Sequence, residues 1–215
     1  DIDGKTIRMD SLMISSSCKK LSRLEIIYSC VFKLVKEISE TNHENLPERF
    51  KIYLKESHRN DTIYRSRDKD LDSKLEVLIK DALELHHLYK DTSYNETESF
   101  NLMARMIGEQ TIEAEEKTEL RPAKEISPDS LQNPTDPDAT FRTKGKGSYT
   151  GYVGNVVETI DEDNKIILQY DLEQNIYSDQ KFSKDTIEKL GPQEEELKIL
   201  IDGAFYSEEL SQIAK

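Results

Sequence analysis

One aspartate of this chain stands in apolar surroundings that a lone carboxylate does not tolerate, and a second closes an apolar run far downstream. Asp10 lies within Lys5–Ile14, among Ile7, Met9, Leu12, Met13 and Ile14, and Asp202 follows Leu197-Lys-Ile-Leu-Ile. A charged, dry carboxylate is strongly disfavoured, so Asp10 needs a metal, a cation or an opening to water. If the two segments are neighbouring strands, their carboxylates come within a few ångströms of each other and repel unless a cation neutralises them. Magnesium or manganese suits such a pair, because hard divalent ions prefer oxygen ligands and keep positions for water and phosphate. Two such ions about 3.5–4 Å apart are the machinery of in-line attack on a phosphodiester. The plainer alternative makes Asp202, which precedes Gly203, a strand-end turn residue and Asp10 a solvent-facing acid.

Other chemistry-bearing residues are weaker. Arg142, Lys144 and Lys146, with Tyr149 and Tyr152 nearby, are suited to DNA phosphates and sugars, against the commoner reading of a solvated loop. Gly145, Gly147 and Gly151 lack the spacing of a dinucleotide fingerprint. Asp161-Glu-Asp-Asn is a hairpin turn rather than a calcium loop, because Lys165, Ile166 and Leu172 occupy ligand, turn and closing positions. His86 and His87 are adjacent, about 100° apart on a helix, and lack the spacing of a zinc pair. Cys18 and Cys30, the only cysteines, read as two reduced, buried thiols. Asp81 and Glu84 read as solvated helix surface.

The elements that must position Asp10 and Asp202 follow from periodicity. Lys5–Ile14, apolar on both faces, predicts a strand covered on both sides. From Ser22 the period changes to that of a helix: Leu24, Ile27, Tyr28, Val31, Leu34, Val35 and Ile38 form one stripe, and Ser22 with Glu25 has capping-box spacing. Helical turns after Pro47, a longer helix through Leu71–Tyr89 and a last one through Phe100–Ile107 make residues 20–120 an all-helical block. Four of the six prolines fall between Arg121 and Gly151, which predicts loop. Two β-rich runs follow, Tyr152–Ile160 and Lys165–Asp171, then a helix over Ser183–Leu190 stopped at Gly191, the strand ending at Asp202, and a helix capped by Ser207. With the helical block set aside as an insertion, the order is β-β-β-α-β-α, a layered α/β plan in which the first and fourth strands are neighbours.

Composition bounds the reading. Thirty basic and 43 acidic residues give a net charge of −13, which disfavours a mainly phosphate-driven nucleic-acid binder without excluding a nuclease site. Hydrophobic residues are 35% and charged residues 34% of a chain whose 215 residues suffice for one or two domains. No apolar run is long enough to span a bilayer and no secretory signal opens the chain, so the expectation is an intracellular protein with no membrane partner. The absence of an initial methionine and the end at Lys215, just inside a helix, read as a fragment.

Around these aspartates, Arg8-Met-Asp-Ser-Leu-Met-Ile-Ser and Leu21-Ser-Arg-Leu-Glu-Ile-Ile-Tyr resemble the opening of the catalytic domain of bacterial insertion-sequence transposases of the DDE class. Asp136-Pro-Asp-Ala-Thr-Phe-Arg, Gly151-Tyr-Val-Gly-Asn-Val-Val-Glu and Ile201-Asp-Gly-Ala-Phe-Tyr-Ser resemble later blocks of that family, in the same order. The resemblance implies an RNase H-like mixed sheet flanked by helices, formed by residues 1–19 and 121–215 and C-terminally incomplete, with residues 20–120 as the helical insertion. It implies an Asp-Asp-Glu triad in which Asp10 and Asp202 match the first two acids, and two magnesium or manganese ions. Glu208 and Glu209 are too close to Asp202 to be the third acid, so the fragment is expected to be inactive by itself. The implied partners are transposon-end and target DNA and a second copy of the chain on DNA, in a bacterial, nucleoid-associated cytoplasmic setting. Two rivals stay open: a non-enzymatic helical interaction module with a small β-rich domain, and a related RNase H-like nuclease.

Overall fold

The computed structural model describes residues 5–41, 46–64, 70–114, 117–160 and 165–213. It is a mixed α/β architecture with a mixed sheet, divided into two compact units, Asp1–Ser17 with Asp138–Lys215, and Cys18–Pro137.

The sheet unit is built on alternation. Its strands are β1 (Thr6–Ser15), β4 (Thr140–Lys144), β5 (Gly147–Thr159), β6 (Ile167–Gln174) and β7 (Lys198–Leu200), with α5 (Asp179–Leu190) between β6 and β7 and α6 (Glu208–Ile213) at the end. The long β5 takes β1 antiparallel along one edge, and β4 and then β6 antiparallel along the other. The far edge of β1 takes β7 in parallel. Ile7, Met9, Val153 and Val157 point to one face and are buried with Phe182 of α5 and Phe205. The opposite face is open, with Leu12 47%, Tyr170 79% and Leu172 57% exposed. The expected two-sided cover of β1 is therefore corrected to one-sided cover, because the helices of this unit supply apolar side chains to a single face.

At Gly151, β1, β4 and β5 meet, and a Cβ there would lie 2.3 Å from the Ile14 carbonyl oxygen. Its φ of 149° is also one that residues with side chains rarely adopt, so the junction requires glycine.

The helical unit follows the 3.6-residue period. Helix α1 (Arg23–Glu40) starts at a complete capping box: Ser22 Oγ accepts from the Glu25 N–H, and the Glu25 carboxylate accepts from the Ser22 N–H at 2.8 Å. Its stripe, including Ile27, Val31, Leu34 and Ile38, is fully buried, each such side chain contributing about 1.5–3 kcal/mol of hydrophobic stabilisation. A 3-10 segment (Glu48–Leu54), the single turn α2 (Glu56–Arg59), a π turn (Asn60–Tyr64), α3 (Leu71–Tyr89) and α4 (Glu98–Gln110) complete the bundle.

The all-helical expectation for residues 20–120 is corrected by an antiparallel hairpin, β2 (Thr111–Ala114) with β3 (Lys117–Leu120). Its base is pinned from two sides. The Arg121 N–H donates to the Gln110 carbonyl, and the Arg23 guanidinium donates to the carbonyls of Gln110 and Arg121.

The proline-rich segment 121–137, expected with the sheet, belongs to the helical unit. Leu131 is buried in the helical core, its N–H donates to the Glu109 carboxylate, and Arg105 holds the carbonyls of Asp129 and Pro137. The boundary between units accordingly falls at residue 138 rather than 121. Residues 142–147, read as loop, form the β4–β5 hairpin, whose turn uses the positive φ of Gly145.

Candidate functional site

Strand pairing decides whether Asp10 and Asp202 can share chemistry. In the parallel β1–β7 ladder, Thr6 pairs with Lys198, Ile7 with Ile199 and Arg8 with Leu200. Two residues further in the same register, Asp10 is level with Asp202, although the ladder itself stops at Leu200. Neighbouring strands are about 4.8 Å apart, which sets the scale of such a juxtaposition. Alternation puts Asp10 on the open face with Arg8, away from the buried Ile7 and Met9. Ile199 packs against the core while Leu200 is exposed, so the alternation of β7 leads Asp202 toward that same open face. Both carboxylates are exposed to solvent, which removes the desolvation difficulty the sequence raised for Asp10.

Local geometry constrains each acid differently. Asp202 Oδ1 accepts the Ala204 N–H at 2.8 Å, and the Phe205 N–H donates to the Asp202 carbonyl at 3.2 Å, so Asp202 also initiates the turn that follows β7. Asp10 sits in regular strand opposite Val156 of β5. The adjacent cation on this face, Arg8, is ion-paired with its cross-strand neighbour Glu158.

A hard divalent ion that keeps most of its water shell needs only one or two carboxylates. Asp10 and Asp202 fit one hydrated ion in donor chemistry. Among the described residues no group of three or more His, Cys, Asp or Glu side chains is gathered to hold a metal, so the two carboxylates do not by themselves make a two-ion centre.

The basic residues separate into two kinds. Arg142 lies in β4, and its Nη1 donates to the carbonyls of Asn175 (3.3 Å) and Tyr177 (3.1 Å), bracing the chain between β6 and α5. Lys144 and Lys146 are exposed at the β4–β5 turn. The Asp161-Glu-Asp-Asn turn lies outside the described residues, though the strands on either side of it pair antiparallel.

In the helical unit, side chains far apart in sequence form a polar cluster. Tyr53 donates its hydroxyl to Asp81 at 2.6 Å, Arg49 pairs with both Asp81 and Glu84, and the Tyr28 hydroxyl lies 3.1 Å from His58 Nδ1. Asp81 is thus a half-buried partner rather than free helix surface. Burial raises the Tyr28 hydroxyl to about 12 and, with Asp81 adding to it, pushes Tyr53 higher still, while burial lowers His58. No local motif marks this cluster, because its members are spread from residue 28 to residue 84. Burial pushes the Cys30 thiol up to about 12, which makes it inert, whereas Cys18 is only half-buried, not fully as expected. His86 is stacked on Phe100 with ring centroids 5.1 Å apart, a packing role in keeping with its failed zinc spacing.

Compared with known protein families, curated proteins and solved structures, the chain shows no match to any. Among the described residues no helix is long and apolar enough to cross a membrane.

Proposed function

We propose that the sheet unit is the RNase H-like core of a DDE-class DNA transposase, with Asp10 and Asp202 as two of the acids that hold its divalent ions. The full activity in this reading is metal-dependent strand cleavage and strand transfer at transposon ends, with DNA as substrate and target. The observation that carries the proposal is the parallel β1–β7 register through Arg8 and Leu200, which, continued by two residues, would set Asp202 opposite Asp10 despite their distance in sequence. The strand order supports it as well: β6, β5 and β1 run antiparallel in succession, β7 is added parallel to β1, and α5 connects β6 to β7.

The chain's own groups have separable tasks here. The Ala204 N–H fixes one Asp202 oxygen and so orients the other, and the pleat of β1 aims Asp10 to the open face. A bound magnesium or manganese ion would supply Lewis-acid stabilisation of phosphoryl oxygens. Lys144 and Lys146 would contact the DNA backbone from the β4–β5 turn, with Arg142 supporting them from within the sheet. The third acid of the triad is assigned to none of the described residues. Glu208, at the start of α6, is too close in sequence to Asp202 for the role the resemblance implies.

Manganese titration of the isotope-labelled protein tests the acid pair. Paramagnetic broadening is expected at amides around residues 10 and 202, and either Asp10→Asn or Asp202→Asn should abolish it at both places. Broadening that survives both substitutions, or that centres elsewhere, overturns the pairing. One observation favours a second reading in which Asp202 only forms a turn: its hydrogen bond to the Ala204 N–H, which Asn retains. On that reading, Asp202→Asn leaves manganese broadening unchanged.

A further inference from the structure

On the face of the sheet away from Asp10, an open cleft of about 1020 Å³ lies between α5, β7 and α6. Its walls are apolar: Ile187 and Leu190 from α5, Ile199 from β7, then Ile201 and Leu210, with Met9 of β1 at its floor. Its rim is acidic. Glu188, Glu195 and Glu196 line the edge, and Glu194 joins them in the adjoining groove. Lys5 pairs with Glu195 at 2.7 Å and Lys189 is turned to Asp171, while Glu188 and Glu196 face solvent.

Size and charge together select an occupant. An open cleft of this volume is large enough to take the apolar face of a helix about 10 Å across. An apolar trough walled by helix and strand side chains suits a helix that presents residues at i, i+3, i+4 and i+7. The carboxylates along the rim favour lysine or arginine on the flanks of that helix and oppose an acidic one.

We propose that this cleft seats an amphipathic helix with basic flanks, supplied by a partner protein. The proposal is independent of the divalent-metal reading, since its residues lie on the other face of the sheet.

The probe is a synthetic leucine/lysine amphipathic peptide of about fifteen residues, with a leucine/glutamate counterpart of the same pattern as control. Fluorescence anisotropy reads affinity for the full chain, and methyl NMR reads the site. The lysine peptide should bind and shift the methyl signals of Ile187, Ile199 and Ile201. Glu188→Lys with Glu196→Lys should weaken it by about tenfold or more. Glu113→Lys with Glu119→Lys, an equal charge change on the exposed β2–β3 hairpin, should alter affinity by less than about twofold. These four side chains are exposed, so neither variant threatens folding. Equal effects of the two double variants, methyl shifts away from the cleft, or equally tight binding of the glutamate peptide each overturn the proposal.

Discussion

The helical unit and the sheet unit satisfy their interiors by different means. Among the described residues, twenty-two buried apolar side chains form the helical core and six form the sheet core. Around the helical core, polar groups are well matched: Arg23, Arg105 and Lys33 each donate to backbone carbonyls of the segments they hold. In the sheet unit, the buried Asn155 Oδ1, Asn175 Oδ1 and Asp179 Oδ1 accept no hydrogen bond from the described residues, and one sheet face is open. A buried acceptor left unmatched costs about 1–3 kcal/mol. The helical unit is thus organised for self-sufficiency, whereas the sheet unit leaves two surfaces, the Asp10 face and the acidic-rimmed cleft, open to solvent.

Core deletions press this contrast hardest. Phe182→Ala removes the one buried α5 aromatic from a six-residue core and should cost about 3–5 kcal/mol. Protection of the β5 and β6 amides against hydrogen exchange should largely vanish. Leu34→Ala also removes a fully buried side chain and should cost about 2–5 kcal/mol, but α1 and α4 should keep measurable protection because the remaining core is larger. Equal collapse of the two units in their respective variants would break the distinction.

A smaller effect distinguishes bracing from ligand contact at Arg142. Arg142→Ala loses two hydrogen bonds to the carbonyls of Asn175 and Tyr177 and should lower stability in urea by about 1–2 kcal/mol. Lys144→Ala and Lys146→Ala, at the exposed turn, should change stability by less than about 0.5 kcal/mol. Indistinguishable stabilities of the three variants would remove the bracing role.

The gentlest test is pH. The described histidines, at positions 58, 86 and 87, lie in the helical unit. Burial holds His58 and His86 below the ordinary imidazole value, so near and just below pH 6.5 the unfolded chain binds more protons than the folded one. The helical unit should therefore lose stability as pH falls from about 7 to 5. In the sheet unit the shifted carboxyl is Asp171. Burial alone would raise Asp171, but hydrogen bonds from Lys189 and Gln169 outweigh it and hold this carboxyl below its usual value. Its contribution is fully present above about pH 4 and is lost as pH falls through the depressed value. Urea unfolding followed through amide signals of each unit at pH 7, 5 and 3.5 should show the helical signals weakening first. A sheet unit that weakens between pH 7 and 5 would contradict this order.

What could be seen in the sequence was local, and what was hidden was tertiary. Helix α1 declared itself through the Ser22–Glu25 box and its stripe, and β1 through the apolar run around Asp10. The short β2–β3 hairpin was hidden because Thr111-Ile-Glu-Ala and Lys117-Thr-Glu-Leu carry too few apolar positions, and its base is held by the distant Arg23. Arg142-Thr-Lys-Gly-Lys-Gly looked like loop because charge and glycine dominate it, yet pairing with Gly147–Tyr149 makes Arg142–Lys144 the end of a strand and leaves Gly145 and Lys146 as its turn. The assignment of 121–137 turned on Leu131, a single apolar residue whose burial in the helical core no period could foretell. For the candidate site, the order of strands was legible and led to neighbouring β1 and β7. That Asp202 also holds the Ala204 N–H was already implicit in Gly203 beside it.

The placement of β1 has a consequence for biosynthesis. This strand leaves the ribosome about 130 residues ahead of β5 and further still ahead of β7, so at ordinary elongation rates it waits roughly 7–25 s for β5 and longer for β7. During that interval Ile7, Met9, Leu12 and Met13 form an unshielded sticky segment on the nascent polypeptide. Translation speed and chaperone supply should therefore govern the yield of correctly assembled sheet more than the yield of the bundle, which is encoded contiguously.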